Sequence, residues 1–170
     1  MCKNIILMGF MATGKTTIGE LLAKKIKYTF IDTDNYIIKK VNMSIADIFT
    51  TYGEDYFRAL EKELMYKIIG EDQMVVSTGG GLVVDEQCFN MIKQMGIVVA
   101  LEAPFNIIWG RLKDCSSRPM VLKHNSIESM RELYDKRLPI YHKADYVIST
   151  ESKTPKEVVN SILSSICYDK

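Results

Sequence analysis

Eight residues near the start of the chain, Gly9-Phe10-Met11-Ala12-Thr13-Gly14-Lys15-Thr16, restrict what can be built around them. They fit G-x-x-x-x-G-K-[ST], the P-loop pattern. A short apolar run, Ile5 to Met8, precedes them. An amphipathic stretch follows, with Ile18, Leu21, Leu22 and Ile26 at helical spacing. Strand, glycine turn and helix in that order make a phosphate cradle. Backbone N–H groups turn inward, and the helix N-terminus adds its partial positive charge. In such a cradle Lys15 reaches the β- and γ-phosphates of a nucleotide, and Thr16 ligates Mg²⁺.

Four more apolar runs of strand length recur downstream: Tyr28–Ile31, Met74–Ser77, Ile97–Leu101 and Tyr146–Ile148. Helical patterns separate them. Ser44 and Asp47 form a cap ahead of one helix, and Phe57, Leu60, Leu64 and Ile68 make an apolar stripe. Asp85 to Met95 reads as a helix stopped by Gly96, and Pro104 opens another through Leu112. Thr154-Pro155-Lys156-Glu157 is a capping box ahead of the stripe Val158, Val159, Ile162, Leu163 and Ile166. The expected fold is α/β: a five-stranded parallel sheet with helices on both faces, as in P-loop kinases. With 170 residues the chain forms one domain, 1–170. Two connections are long. One, after the second strand, is expected to hold a helical insertion over about 33–62. The other, about 113–125, is polar and without helical periodicity, the character of a lid.

The P-loop leaves many families open. No N-K-x-D occurs and no Asp is followed by Gly three residues on, which argues against a GTPase. The third strand ends in Ser77-Thr78-Gly79 rather than in Asp, unlike a motor ATPase. The acids instead follow the second strand, as Phe30-Ile31-Asp32-Thr33-Asp34. Parallel strands bring their C-terminal ends to the phosphate side of the sheet, so both Asp32 and Asp34 belong near the γ-phosphate. One suits a metal held through water; the other suits an acceptor hydroxyl and its proton. Asp34 is also placed to cap the helix that begins Asn35-Tyr36-Ile37.

Of 22 Lys and Arg residues only five are Arg, so Arg marks places where a planar bidentate donor matters. Arg58 lies in the long insertion, Arg111 after Trp109-Gly110, Arg118 before Pro119 in the polar connection, and Arg137 where Pro139 interrupts a helical stretch. Arg131 has no such setting and reads as a solvated helix face. Arg58 and Arg137 show no evident acid partner in common, which favours an anion between them. Gly79-Gly80-Gly81 closes the third strand and lets a ligand approach backbone N–H groups.

A net charge of +1 excludes bulk attraction to nucleic acid or membrane. The scattered Cys2, Cys88, Cys115 and Cys167 suit a reducing compartment, and two histidines are too few for a His/Cys metal centre. No signal or membrane segment opens the chain, so a cytoplasmic location is expected.

Gly-Phe-Met-x-x-Gly-Lys-Thr, Asp-x-Asp, Phe-Arg-x-x-Glu, the triple glycine, Arg-Pro and Arg-x-Pro-x-Tyr stand in one order from residue 9 to residue 141. In this the chain resembles the shikimate kinases. The resemblance implies transfer of the γ-phosphoryl group of ATP to the 3-hydroxyl of shikimate, in aromatic amino-acid synthesis. It implies catalytic roles for Lys15, Asp34 and Arg118. ATP would lie on Ala12, Thr13, Gly14, Lys15, Thr16 and Thr17, with Arg118 over the phosphates and Arg111 and Lys153 at the adenine. Shikimate would lie on Asp34, Arg58, Gly79, Gly80, Gly81 and Arg137, the two Arg on its carboxylate. Mg²⁺ would sit on Thr16 and, through water, Asp32. A monomer is expected. Ala12 stands where the family often has Gly, and Lys153 where Arg is common. The nearest other reading is a related small-molecule kinase, such as a gluconate kinase; a non-catalytic ATP-binding module is third.

Overall fold

A computed structural model describes residues 4–112 and 126–168. The expected lid, with Arg118 in it, lies outside the described residues. Five strands, β1 (Asn4–Met8), β2 (Thr29–Asp32), β3 (Met74–Ser77), β4 (Gly96–Glu102) and β5 (Tyr146–Ser149), form one sheet in the order β2-β3-β1-β4-β5. Every pairing is parallel; Ile5 lies opposite both Val75 and Ile97. The eight α-helices seen among the described residues are α1 (Lys15–Ile26), α2 (Thr33–Val41), α3 (Ile45–Tyr52), α4 (Glu54–Ile68), α5 (Glu86–Met95), α6 (Phe105–Leu112), α7 (Ile127–Tyr141) and α8 (Pro155–Tyr168).

Strand side chains alternate between faces, and the buried strands are apolar on both. Ile5 and Leu7 pack with Val75 and Val99 against Ile18 and Leu22 of α1 and Val158, Val159 and Ile162 of α8. Ile6 and Met8 face the other way, against Leu64 and Ile68 of α4, Ile92 of α5 and Ile108 of α6. This is the three-layer sandwich expected. The expected stripes on α1, α4 and α8 all turn inward, although Leu21, Ile26, Leu163 and Ile166 are only partly covered.

The connection between β2 and β3 holds three helices, α2, α3 and α4, with a small core of their own: Ile37, Ile48, Phe57 and Leu60. Ser44 caps α3 by accepting from the Asp47 N–H, as its spacing predicts. The α8 capping box also forms: Glu157 accepts from the Thr154 N–H at 2.7 Å.

Two local expectations fail. The residue capping α2 is Asp32, which accepts from the Asn35 N–H at 3.0 Å, while Asp34 lies inside the first turn. Helix α2 therefore starts directly at the end of β2. Pro139 does not interrupt a helix; α7 runs through it to Tyr141. The ring comes two residues before the helix end, so a single ladder bond is forfeited there. Tyr141 is buried, and its hydroxyl donates to the Gly80 carbonyl at 3.0 Å, which holds that last turn down.

Candidate active site

The site lies where β1, β2 and β3 end. After Met8 the chain turns at Gly9, whose φ of 143° and close approach to the Leu101 carbonyl exclude a side chain. Thr13 pins the loop by donating from its hydroxyl to the Phe10 carbonyl at 2.8 Å. Ala12 takes the left-handed region, φ 61°, at a cost of about 1–2 kcal/mol for a residue with a Cβ. That is the physical meaning of alanine standing where glycine is common. Lys15, the first residue of α1, folds back over the loop and donates to the Gly9 and Phe10 carbonyls, each at 2.9 Å.

Asp32 joins two elements. One oxygen caps α2, and the other accepts from the Thr16 hydroxyl at 2.7 Å. Thr16 Oγ1 and Asp32 Oδ2 thus stand side by side, two hard oxygen donors of the kind a small divalent cation takes. Among the described residues no cluster of three His, Cys, Asp or Glu could hold an ion alone. The pair fits an ion whose other ligands are phosphate and water.

Two cavities open on this edge. One, of about 360 Å³, runs over the P-loop and is lined by Ala12, Gly14, Lys15, Thr16 and Thr17, with Arg111 at its rim. Arg111, in the last turn of α6, donates to the Ala12 carbonyl at 2.9 Å. The other, of about 350 Å³, lies under α2, α3 and α4 and contains Arg58, Arg137 and Gly79 to Gly81. Thr16, Asp32, Asp34 and Gly80 line both. Lys153 is exposed and lines neither.

The second cavity has a polar floor and an apolar wall. Ile38, Ile45, Phe49 and Phe57 supply the wall, and none of them was singled out for this by sequence reasoning. Of the four, Phe57 alone stood in a noted helical stripe, which marked it as core. Arg137 enters from α7, buried, with its guanidinium 5.9 Å from the Phe10 ring centroid. Tyr141, one turn on, is pushed up to about 12 by burial, against the favourable pull of Arg137, and stays a hydrogen-bond donor.

A third expectation, that Arg58 and Arg137 have no acid partner in common, is corrected too. Arg58 Nη1 pairs with Glu61 Oε2 at 2.5 Å and Nη2 with Glu54 Oε1 at 2.9 Å. Glu61 also lies in the field of Arg137. It is 1% exposed, and its Oε1 finds no hydrogen-bond partner among the described residues. Burial, and then nearby Asp34, push its carboxyl up to about 7 against the pull of Arg58 and Arg137. The motif Phe57-Arg58-Ala59-Leu60-Glu61 carried the only sequence signal, since i and i+3 share a helix face.

Gly79 and Gly81 are glycines because of these charges. A Cβ on Gly79 would strike both Asp34 Oδ1 and Glu61 Oε1, and one on Gly81 would lie 2.6 Å from Arg58 Nη2. The Gly79 N–H donates to the Thr33 hydroxyl at 2.8 Å, which ties the end of β3 to the start of α2.

A parallel sheet, a P-loop opening α1, and an acceptor cavity meeting the nucleotide cavity at two carboxylates define the fold and site of a P-loop kinase with a small acceptor. Comparison with known proteins narrows the class. The family model for shikimate kinase matches residues 11–167. A shikimate kinase of Thermodesulfovibrio yellowstonii is 42% identical over 95% of this chain and 93% of its own length. A solved shikimate kinase from Acinetobacter baumannii, in complex with shikimate, superposes with a TM-score of 0.94 at 32% identity, covering 100% of this chain and 96% of that one. A gluconokinase from Sinorhizobium meliloti shares only the fold, with a TM-score of 0.63 at 15% identity over 98% of this chain and 92% of its own. The chain belongs to the shikimate kinase family.

Proposed function

We propose that this chain transfers the γ-phosphoryl group of ATP to the 3-hydroxyl of shikimate, giving 3-phosphoshikimate, and that the residues above divide the work. The observation that carries this reading is the seam between the two cavities. Asp34 stands on it, with phosphate-binding groups on one side and two guanidinium groups on the other. Phosphoryl transfer needs mainly positioning and charge compensation, and the seam offers both. Lys15 leaves the loop carbonyls for the β- and γ-phosphates, and the P-loop N–H groups of Ala12 to Thr17 hold the rest. Arg111 and Lys153 are assigned to the adenine, and Arg118 to the phosphates from the polar connection. Arg58 and Arg137 take the shikimate carboxylate, the N–H groups of Gly80 and Gly81 its ring oxygens, with Gly79 leaving room beside them, and the apolar wall its ring face. Asp34 then accepts the proton of the attacking hydroxyl. Mg²⁺ fits Thr16 directly and Asp32 through water; it would neutralise charge on the transferring phosphates.

Shikimate-dependent release of ADP tests the reading. We expect turnover with shikimate but not with gluconate or nucleoside monophosphates, loss of activity in excess EDTA and its return with Mg²⁺. Equal turnover with gluconate would move the chain to the neighbouring class. Among the described residues no helix is long and apolar enough to cross a membrane. The reading includes a monomer in the cytoplasm, which sedimentation and fractionation check.

Gly81→Ala separates the two cavities. Its Cβ displaces a flexible guanidinium rather than backbone, so the fold should survive. KM for shikimate should rise by roughly 10-fold or more, the scale of one weakened charged hydrogen bond, with KM for ATP and Tm unchanged. An unchanged KM for shikimate would remove Arg58 from the acceptor site.

A further inference from the structure

Glu61 is a carboxyl with nothing to do in the transfer as described. It is nearly inaccessible, one of its oxygens is paired with Arg58, and the other is unpartnered among the described residues. That second oxygen lies beside Asp34 Oδ1, close enough that one Cβ on Gly79 would strike both. Two carboxyl groups brought together away from water do not both ionise cheaply.

The titratable groups whose fields meet Glu61 stand on four helices: Arg58 on its own α4, Asp34 on α2, Arg137 on α7 and the Cys88 thiol on α5; Glu54 shares Arg58 with it. Cys88 is buried and pushed up to about 12, so it stays a thiol and does not compete. The two guanidinium groups alone favour the ionised form of Glu61. On the proposed reading of the site, those same two groups receive the substrate carboxylate. A bound carboxylate would draw off the charge that keeps Glu61 ionised and would add a negative neighbour.

We propose that Glu61 is a positioning residue coupled to a proton: it binds one from solvent when the acceptor's carboxylate enters between Arg58 and Arg137, and releases it when the acceptor or product leaves. The proton goes to the unpartnered Oε1, where the resulting O–H faces Asp34. Oε2 remains an acceptor for Arg58, so the guanidinium keeps its place while its charge turns to the ligand. This inference rests on shikimate being the acceptor.

The sign follows from linkage. Below about pH 7 Glu61 is already neutral in the free protein, and acceptor affinity is highest and flat. Above that value each binding event needs a proton, and affinity falls by up to about tenfold per pH unit until the bound-state value is passed.

Calorimetric titration of the full chain with shikimate, without nucleotide, tests this. At about pH 8, in buffers of small and large ionisation heat, the heats should differ by the uptake of nearly one proton per shikimate bound. Glu61→Gln, which keeps the shape of the neutral form, should take up none. Its KM for shikimate should stay flat from about pH 6.5 to 8.5 while that of the wild type rises, and at the upper end it should bind more tightly than the wild type. A merely structural role for Glu61 would raise KM at all pH values and leave the buffer dependence in place. Buffer-independent heats in the wild type overturn the inference, whether or not the variant folds. Uptake of the same size in Glu61→Gln also overturns it, since the proton then resides elsewhere. Binding without proton uptake leaves the assignment of shikimate intact; absence of any binding heat removes both.

Discussion

Lys15→Ala should abolish phosphoryl transfer while leaving the protein folded. Lys15 occupies the first position of α1 and folds over the loop onto the Gly9 and Phe10 carbonyls; the loop itself is held by Thr13, by Gly9 against Leu101 and by β1. Its removal takes a mobile cation from where charge develops in transfer, and leaves the backbone that shapes the cradle. One preorganised donor in such a position is worth about 10²–10³-fold in kcat, and a full charge more. The expected record is a kcat lower by at least about 10³-fold with a Tm within a few degrees of wild type. A wild-type kcat in this variant would reject the P-loop assignment, however well the fold matches.

Arg58→Lys and Arg137→Lys should each raise KM for shikimate by about 10- to 150-fold and leave KM for ATP nearly unchanged. Lysine keeps the charge but loses the planar fork that meets a carboxylate with two parallel bonds. The two effects should differ. Arg137 is buried, so the second bond that its lysine replacement forgoes is not made good by water. Arg58 is shared with Glu54 and Glu61, and the ligand competes with both for it. Arg137→Lys should be the larger. A shikimate analogue without its carboxylate should react poorly with the wild type and respond to neither change. Loss of ATP affinity in these variants would contradict the division between cavities.

The sheet and most helix boundaries were legible because they rest on short-range rules. A continuous apolar run marks β1, spacing marks α1, and caps at Ser44 and Thr154 mark two starts. The chemistry-bearing residues were legible where a motif ties type to spacing, as in Gly9 to Thr16 and Asp32 to Asp34. Long-range juxtaposition was not. Nothing near Glu61 in sequence says that Arg137 and Asp34 will crowd it, and nothing near Ile38 or Phe49 says that one face of each helix will border a cavity rather than core. Pro139 misled because proline's rule concerns helix interiors, whereas here Tyr141 and Gly80 fix the terminal turn from outside.

The small cluster of Ile37, Ile48, Phe57 and Leu60 has a consequence for how such a chain can change over time. The wall of the proposed acceptor cavity packs on itself through these four residues, and α4, by Leu64 and Ile68, ties it to a cluster flanking the sheet. Substitutions among Ile38, Ile45 and Phe49 therefore reshape the wall away from that tie and from the P-loop. A lineage can exchange one alcohol for another by rewriting that wall and keep its phosphate chemistry throughout.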